Sequence, residues 1–221
     1  MSGFHWDWGF AWSIVPELLE GVVVTVIATV LGSLLAFALG LVWTFVRIAQ
    51  LRVITPAVWF LVQFIRGTPL LIQLYFLFYV LPTWGITVSG LATGIIALGL
   101  FFSAYTAEIY RAGIEDLPAG QWEAALTLGL PVHRVWLGII LPQAIRAVLP
   151  VLGNVVISMF KQTALLSTIT VLELLAHGMS IGQMTYRFVE PLTLVGAIYF
   201  AVSYLSARAI RSLETKDEIR A

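Results

Sequence analysis

Charged residues are absent from three long stretches of this chain. Gly21 to Val46 is a run of 26 residues, Gly67 to Ala107 a run of 41, and Pro191 to Ala207 a run of 17. A helix needs roughly 20 apolar residues to cross a bilayer. The middle run is too long for one crossing, and Pro82-Thr83-Trp84-Gly85 breaks it with a turn signal. The pattern predicts an all-α, polytopic membrane protein with five transmembrane helices, at about 18–46, 53–81, 89–108, 143–166 and 191–208. The chain reads as a single transmembrane domain, 1–221, without internal repeats. Between the third and fourth spans lies its longest polar connection, 109–142. Within it, Asp116-Leu117-Pro118-Ala119-Gly120 reads as a turn, and Gln121 to Leu128 as a short helix stopped by Gly129. After Pro131, Val132, Val135, Trp136, Ile139 and Ile140 form the stripe of a separate amphipathic helix. A loop patterned this way is a folded object with one face for its own membrane helices and one for something else.

Composition agrees with that reading. Apolar residues make up 60% of the chain and charged residues 11%, against about 25% in a soluble domain. There is no cysteine, which excludes disulfides and thiolate chemistry. Twelve basic residues balance twelve acidic ones, and no nucleic-acid partner is expected. Placement of charge is more informative than its sum. With the first loop, the third loop and the C-terminus in the cytoplasm, that side holds Arg47, Arg52, Arg111, Arg134, Arg146, Arg208, Arg211, Lys216 and Arg220. By the positive-inside rule the N-terminus is then outside and the C-terminus cytoplasmic, in a multi-pass protein of a bacterial inner membrane. Residues 1–16 lack Lys, Arg and a small-residue cleavage site, so a signal peptide is not expected. Phe4, Trp6, Trp8, Phe10 and Trp12 read as an interfacial aromatic belt, with contact to an external partner as the alternative. Gly32, Ser33, Ala36 and Gly40 in the first span read as a close helix-packing face.

The short loop helix carries Glu123, Ala124 and Ala125, a carboxylate beside two side chains of almost no bulk. Glu-Ala-Ala alone is simply good helix-forming sequence. The longer spacing is specific: Glu123-Ala124-Ala125, three residues, Gly129, nine residues, Ile139, one residue, Leu141-Pro142. It resembles the "EAA" loop of the inner-membrane permeases of ATP-binding-cassette importers. Arg66-Gly67-Thr68-Pro69-Leu70-Leu71 and Ala107-Glu108-Ile109-Tyr110-Arg111-Ala112-Gly113-Ile114 resemble segments of the polar amino-acid branch (histidine, glutamine, arginine) of that family. Lys161-Gln162-Thr163-Ala164-Leu165-Leu166-Ser167 resembles its Lys-Asp-Thr-Ser-Leu segment, with Gln162 in place of the acidic residue. The resemblance covers roughly residues 16 to 214. It implies the type I importer permease fold and a coupling helix, around Glu123, Ala124, Ala125 and Gly129, that docks on a separate ATPase. It also implies a second permease copy or a related permease, two ATPase subunits, an external solute-binding protein and surrounding membrane lipid. This chain has no Walker-type phosphate loop, so ATP and magnesium are expected on the partner and no cofactor on this chain.

Ionisable groups at membrane depth usually face a partner or a water-filled path. Arg66 lies 13 residues into the second span, beside a Gly67-Thr68-Pro69 interruption that could free backbone groups toward a solute. The other reading pairs Arg66 with Glu108. Lys161, Gln162 and Thr163 form a polar trio on an apolar span and, with Arg66, Gly67 and Thr68, are the candidate substrate-pathway residues. The resemblance suggests Lys161 for a carboxylate, Thr163 as its hydroxyl partner, and Gln162 for the ammonium or the side chain. A neutral Gln162 leans toward a neutral or acidic substrate. Glu108, Arg111 and Glu115 read as an ion-pair ladder on one helix face. His5, His133 and His177 are far apart and give no metal site, and no span pairs His with Ser or a carboxylate as an intramembrane enzyme would need. A self-sufficient channel would need no exposed docking helix. The expected function is import of a polar amino acid, with an opine or amino-acid derivative as the alternative.

Overall fold

The computed structural model describes residues 5–218, with side chains through residue 212. Phe4, Arg220 and the side chain of Lys216 lie outside that range. The described residues are helical without a strand. In order they form α1 (Trp8–Ser13), α2 (Val15–Ile48), α3 (Ile54–Gly67), α4 (Leu70–Tyr75), α5 (Gly90–Glu115), α6 (Ala119–Thr127), α7 (Val132–Val135), α8 (Leu141–Gln162), α9 (Leu174–Thr185) and α10 (Val189–Glu218). Four segments are long and apolar enough to cross a membrane: α2, α5, the stretch Val132–Ile169, and Val189–Ser212 of α10. A fifth is added if α3 and its continuation Leu70–Trp84 are one span, bent by 105°.

The core is the contact of α2 with α5, and small residues make it close. A Cβ on Gly40 would stand 2.1 Å from Thr106 Oγ1 and one on Gly99 2.5 Å from Leu35 Cδ2, while one on Gly32 would stand 2.9 Å from Met159 Sδ of α8. In lipid this closeness matters because association relies on dispersion and hydrogen bonds. Hydroxyls within the contact bond carbonyls: Thr106 donates to Ala36 at 2.9 Å, and Thr44 to Gly40 at 2.8 Å and Ala107 at 3.1 Å. Across the bundle α8 runs antiparallel to α5. Gly113 meets Val148 near one end of the pair, and Gly94 meets Leu166 near the other.

Two elements differ from the sequence expectation. The stripe at 132–140 is not a separate helix. It is α7 and a π-helical turn, Trp136–Ile140, that run straight into α8. The region after the fourth span is not a plain loop, because α9 folds there against α2 and α10. At the opposite end from α6, Arg187 pairs with Glu190 and, at 3.1 Å, with Asp7, which ties α1 to the start of α10. The Phe10 amide and the Arg187 guanidinium hold the Asp7 carboxyl below its ordinary range.

Candidate functional site: a polar groove and an outward-facing helix

Between α5 and α8 lies an open groove of about 560 Å³, walled by Phe101, Phe102, Tyr105 and Glu108 on one side and by Asn154, Ser158 and Gln162 on the other. Glu108 anchors the α5 wall. Its Oε1 accepts from Arg47 at 2.7 Å and lies 3.5 Å from Arg66, and its Oε2 accepts from Arg111 at 2.9 Å. Arg111 also pairs with Glu115. The ladder expected on α5 is therefore part of a cluster drawn from α2, α3 and α5. Arg66 pairs with Glu108, one of the two uses foreseen for it, and its guanidinium lies 5.5 Å over the Tyr105 ring, although Arg66 itself does not line the groove. Lys161 and Gln162 are both exposed, and Gln162 lines the groove. Lys161 follows Asn154 by seven residues and Ser158 by three, which sets it beside the groove's polar stripe.

Three other pathway candidates lie off this groove. Thr163 is fully buried; its hydroxyl donates to the Phe160 carbonyl at 2.7 Å and lies 3.4 Å from the Tyr199 hydroxyl. It shapes the turn at the end of α8. Thr68 donates to the Phe64 carbonyl at 3.0 Å and lines a different notch, beside Phe64 and Gln73. The groups freed by the α3–α4 break are also taken. Gln73 Nε2 donates to the Ile65 carbonyl at 2.8 Å, to the Thr68 carbonyl at 3.2 Å and to Thr68 Oγ1 at 2.8 Å. Gly67 at the break has open space around it but does not line the groove.

The second feature is α6. It ends in a Schellman motif: the Gly129 amide donates to the Leu126 carbonyl at 3.0 Å, the Leu130 amide to the Ala125 carbonyl at 3.1 Å, and Gly129 has φ +63°. Glu123 and Ala124 are exposed, as are Leu126 at 75% and Leu128 at 74%. Ala125 departs from expectation. It is 1% exposed and packs with Val135 and Ile140 in a small core under α6, where Trp122 and Trp136 meet edge to face. Its lack of bulk lets α6 approach its own membrane helix.

Residues 37–214 match the family described as "Binding-protein-dependent transport system inner membrane component". The chain belongs to that family. It is similar to the probable amino-acid ABC transporter permease protein y4tG of Sinorhizobium fredii (strain NBRC 101917 / NGR234), 42% identical over 97% of this chain and 95% of the relative. It is also similar to the octopine transport system permease protein OccM of Rhizobium radiobacter, 36% identical over 94% and 89%. Among solved structures it resembles a chain from "Crystal structure of an amino acid ABC transporter with histidines", with a TM-score of 0.92, 32% identity, and coverage of 96% of this chain and 100% of that one. As an ABC-transporter permease the chain is a transport subunit with the type I permease fold, and ATP hydrolysis belongs to a separate subunit.

Reading the permease sequence alone missed two groups of residues. Asn154 and Ser158 precede the candidate Gln162 at intervals of four on α8, a polar stripe legible in the sequence. Glu173, fully buried, caps α9 by accepting from the Leu175 amide at 2.9 Å and the Ala176 amide at 2.8 Å, and accepts from the Tyr199 hydroxyl at 2.7 Å. No local sequence signal joins Glu173 to Tyr199; only the tertiary fold does.

Proposed function

We propose that this permease carries a polar amino acid, or a derivative such as an opine, inward across the membrane. Its cytoplasmic ATPase docks on α6. The observation that carries the reading is an apolar and acidic face, Glu123, Ala124, Leu126 and Leu128, left open on a helix whose other side is pinned by Ala125 to the continuous α7–α8 rod. A push on α6 passes into α8, and α8 is one wall of the polar groove. That linkage supports α6 as the coupling element and the groove as the solute path, with Gln162, Lys161 and the Arg66–Tyr105 wall as the contacting groups. The wider resemblance to amino-acid permeases supports the substrate class. A second permease, two ATPase copies holding ATP and magnesium, and an external binding protein complete the assembly in this reading.

The test is uptake of labelled amino acids by proteoliposomes holding the full complex. Uptake is expected to require ATP. Glu123→Lys is expected to lower the co-purified ATPase roughly tenfold, the equivalent of about 1.4 kcal/mol, with membrane insertion unchanged. ATP-independent uptake, or normal ATPase association in this variant, overturns the reading.

A further inference from the structure

We infer that the groove admits amino acids with neutral or anionic side chains and rejects cationic ones. The inference rests on the groove being the solute path. Glu108 is the one carboxylate among the described residues lining the groove. Both of its oxygens are occupied by arginines from three helices, Arg47, Arg66 and Arg111. Arg111 is shared with Glu115, so the cluster of three arginines and two glutamates keeps a surplus of one positive charge. The facing wall carries no charge: Asn154, Ser158 and Gln162 line it together with Val151 and Val155. Lys161, beside that wall, is exposed and makes no hydrogen bond or ion pair among the described residues.

These charges treat the parts of a solute differently. The α-ammonium common to all amino acids is balanced by the solute's own α-carboxylate, and the amide and hydroxyl oxygens of the α8 stripe can accept its hydrogen bonds. A second cation on the side chain would need a carboxylate to replace its water, and none is free. An anionic side chain meets Lys161 and the surplus of the arginine cluster instead. The selectivity lies in how thoroughly Glu108 is neutralised. Arg47 and Arg111 reach it from outside the groove and therefore act as positioning residues for solute charge.

The experiment measures binding of L-glutamate, L-glutamine and L-arginine to the detergent-solubilised permease–ATPase complex without the external binding protein. Wild type is expected to bind glutamine and glutamate and to bind arginine roughly tenfold more weakly or worse. Gln162→Asp, which puts an unpaired carboxylate on the wall, is expected to reverse that order while the ATPase still co-purifies. Arginine binding equal to glutamine in wild type overturns the charge rule and leaves the groove as the path. Gln162→Asp binding all three as wild type does overturns the groove itself, and the inference with it. Absence of binding for all three solutes overturns it as well.

Discussion

At the scale of single residues, Ala125 and Gly129 serve α6 by different physics. Ala125 is small because it is covered. Gly129 stands in open space, so its role is conformational: φ is +63° and the two Schellman hydrogen bonds depend on it. A β-branched residue in that left-handed region costs about 1–2 kcal/mol, whereas asparagine tolerates it. Gly129→Val is therefore expected to fray the end of α6 and cut ATP-coupled uptake severalfold, while Gly129→Asn stays near wild type. Equal uptake by both variants would show that the stop is dispensable. The glycine was legible in the sequence because a helix stop is a local signal. The direction of Ala125 was not, because Glu-Ala-Ala fits either face of a nine-residue helix. The placement of Thr68 and Thr163 off the groove was not legible for a related reason: a hydroxyl in a membrane helix is as ready to bond its own backbone as a solute, and only the fold decides.

At the scale of elements, proline explains most of the irregularity. Pro82 and Pro142 each follow a five-residue π-helical turn, Phe76–Val80 and Trp136–Ile140. The widened turn accommodates the missing amide and the ring clash with the carbonyl four residues back. That is why the stripe at 132–140 joins α8 instead of standing apart, a continuity that hydrophobic periodicity does not reveal. Pro69 has no such turn before it, and the chain there bends by 105°. The bend leaves carbonyls that lipid cannot satisfy, and Gln73 serves three acceptors of the break. Gln73→Leu keeps the volume and removes the donor. It is expected to destabilise the solubilised protein by about 1–3 kcal/mol, the cost of orphaned acceptors, seen as a lower melting temperature. An unchanged melting temperature would mean that water or lipid headgroups reach the break. The four long spans and the bent pair were legible because length and charge-free composition suffice for them, whereas α9 was not: it is short, and what holds it is a buried Glu173 cap contacted by Tyr199 from α10.

At the scale of the whole molecule, the distribution of charge predicts which end faces the cytoplasm. The end bearing α6 also carries Arg47, Arg52, Arg111 and Arg134, two of them paired with Glu108. The opposite end holds α1, α9 and the Pro82–Gly85 turn, and its basic residue Arg187 is paired with Glu190 and Asp7. Acidic residues contribute little to orientation, so the excess of arginine at the α6 end should hold that end inside. The bent α3–α4 pair must then count as a full crossing. Were it a re-entrant excursion, both its ends would lie on one side, and α5 could not run back toward α6 while α2 runs away from α9. The contacts require that course: Gly21 of α2 meets Leu174 at one end, and Gly40 meets Thr106 far along toward the other. A reporter active only in the cytoplasm is therefore expected to work when fused after Arg52, near Gln121 or after Arg220, and to fail near Trp84 or Gly182. Activity at Trp84 with silence at Gln121 would invert the molecule in the membrane, and α6 would then be out of reach of any ATPase.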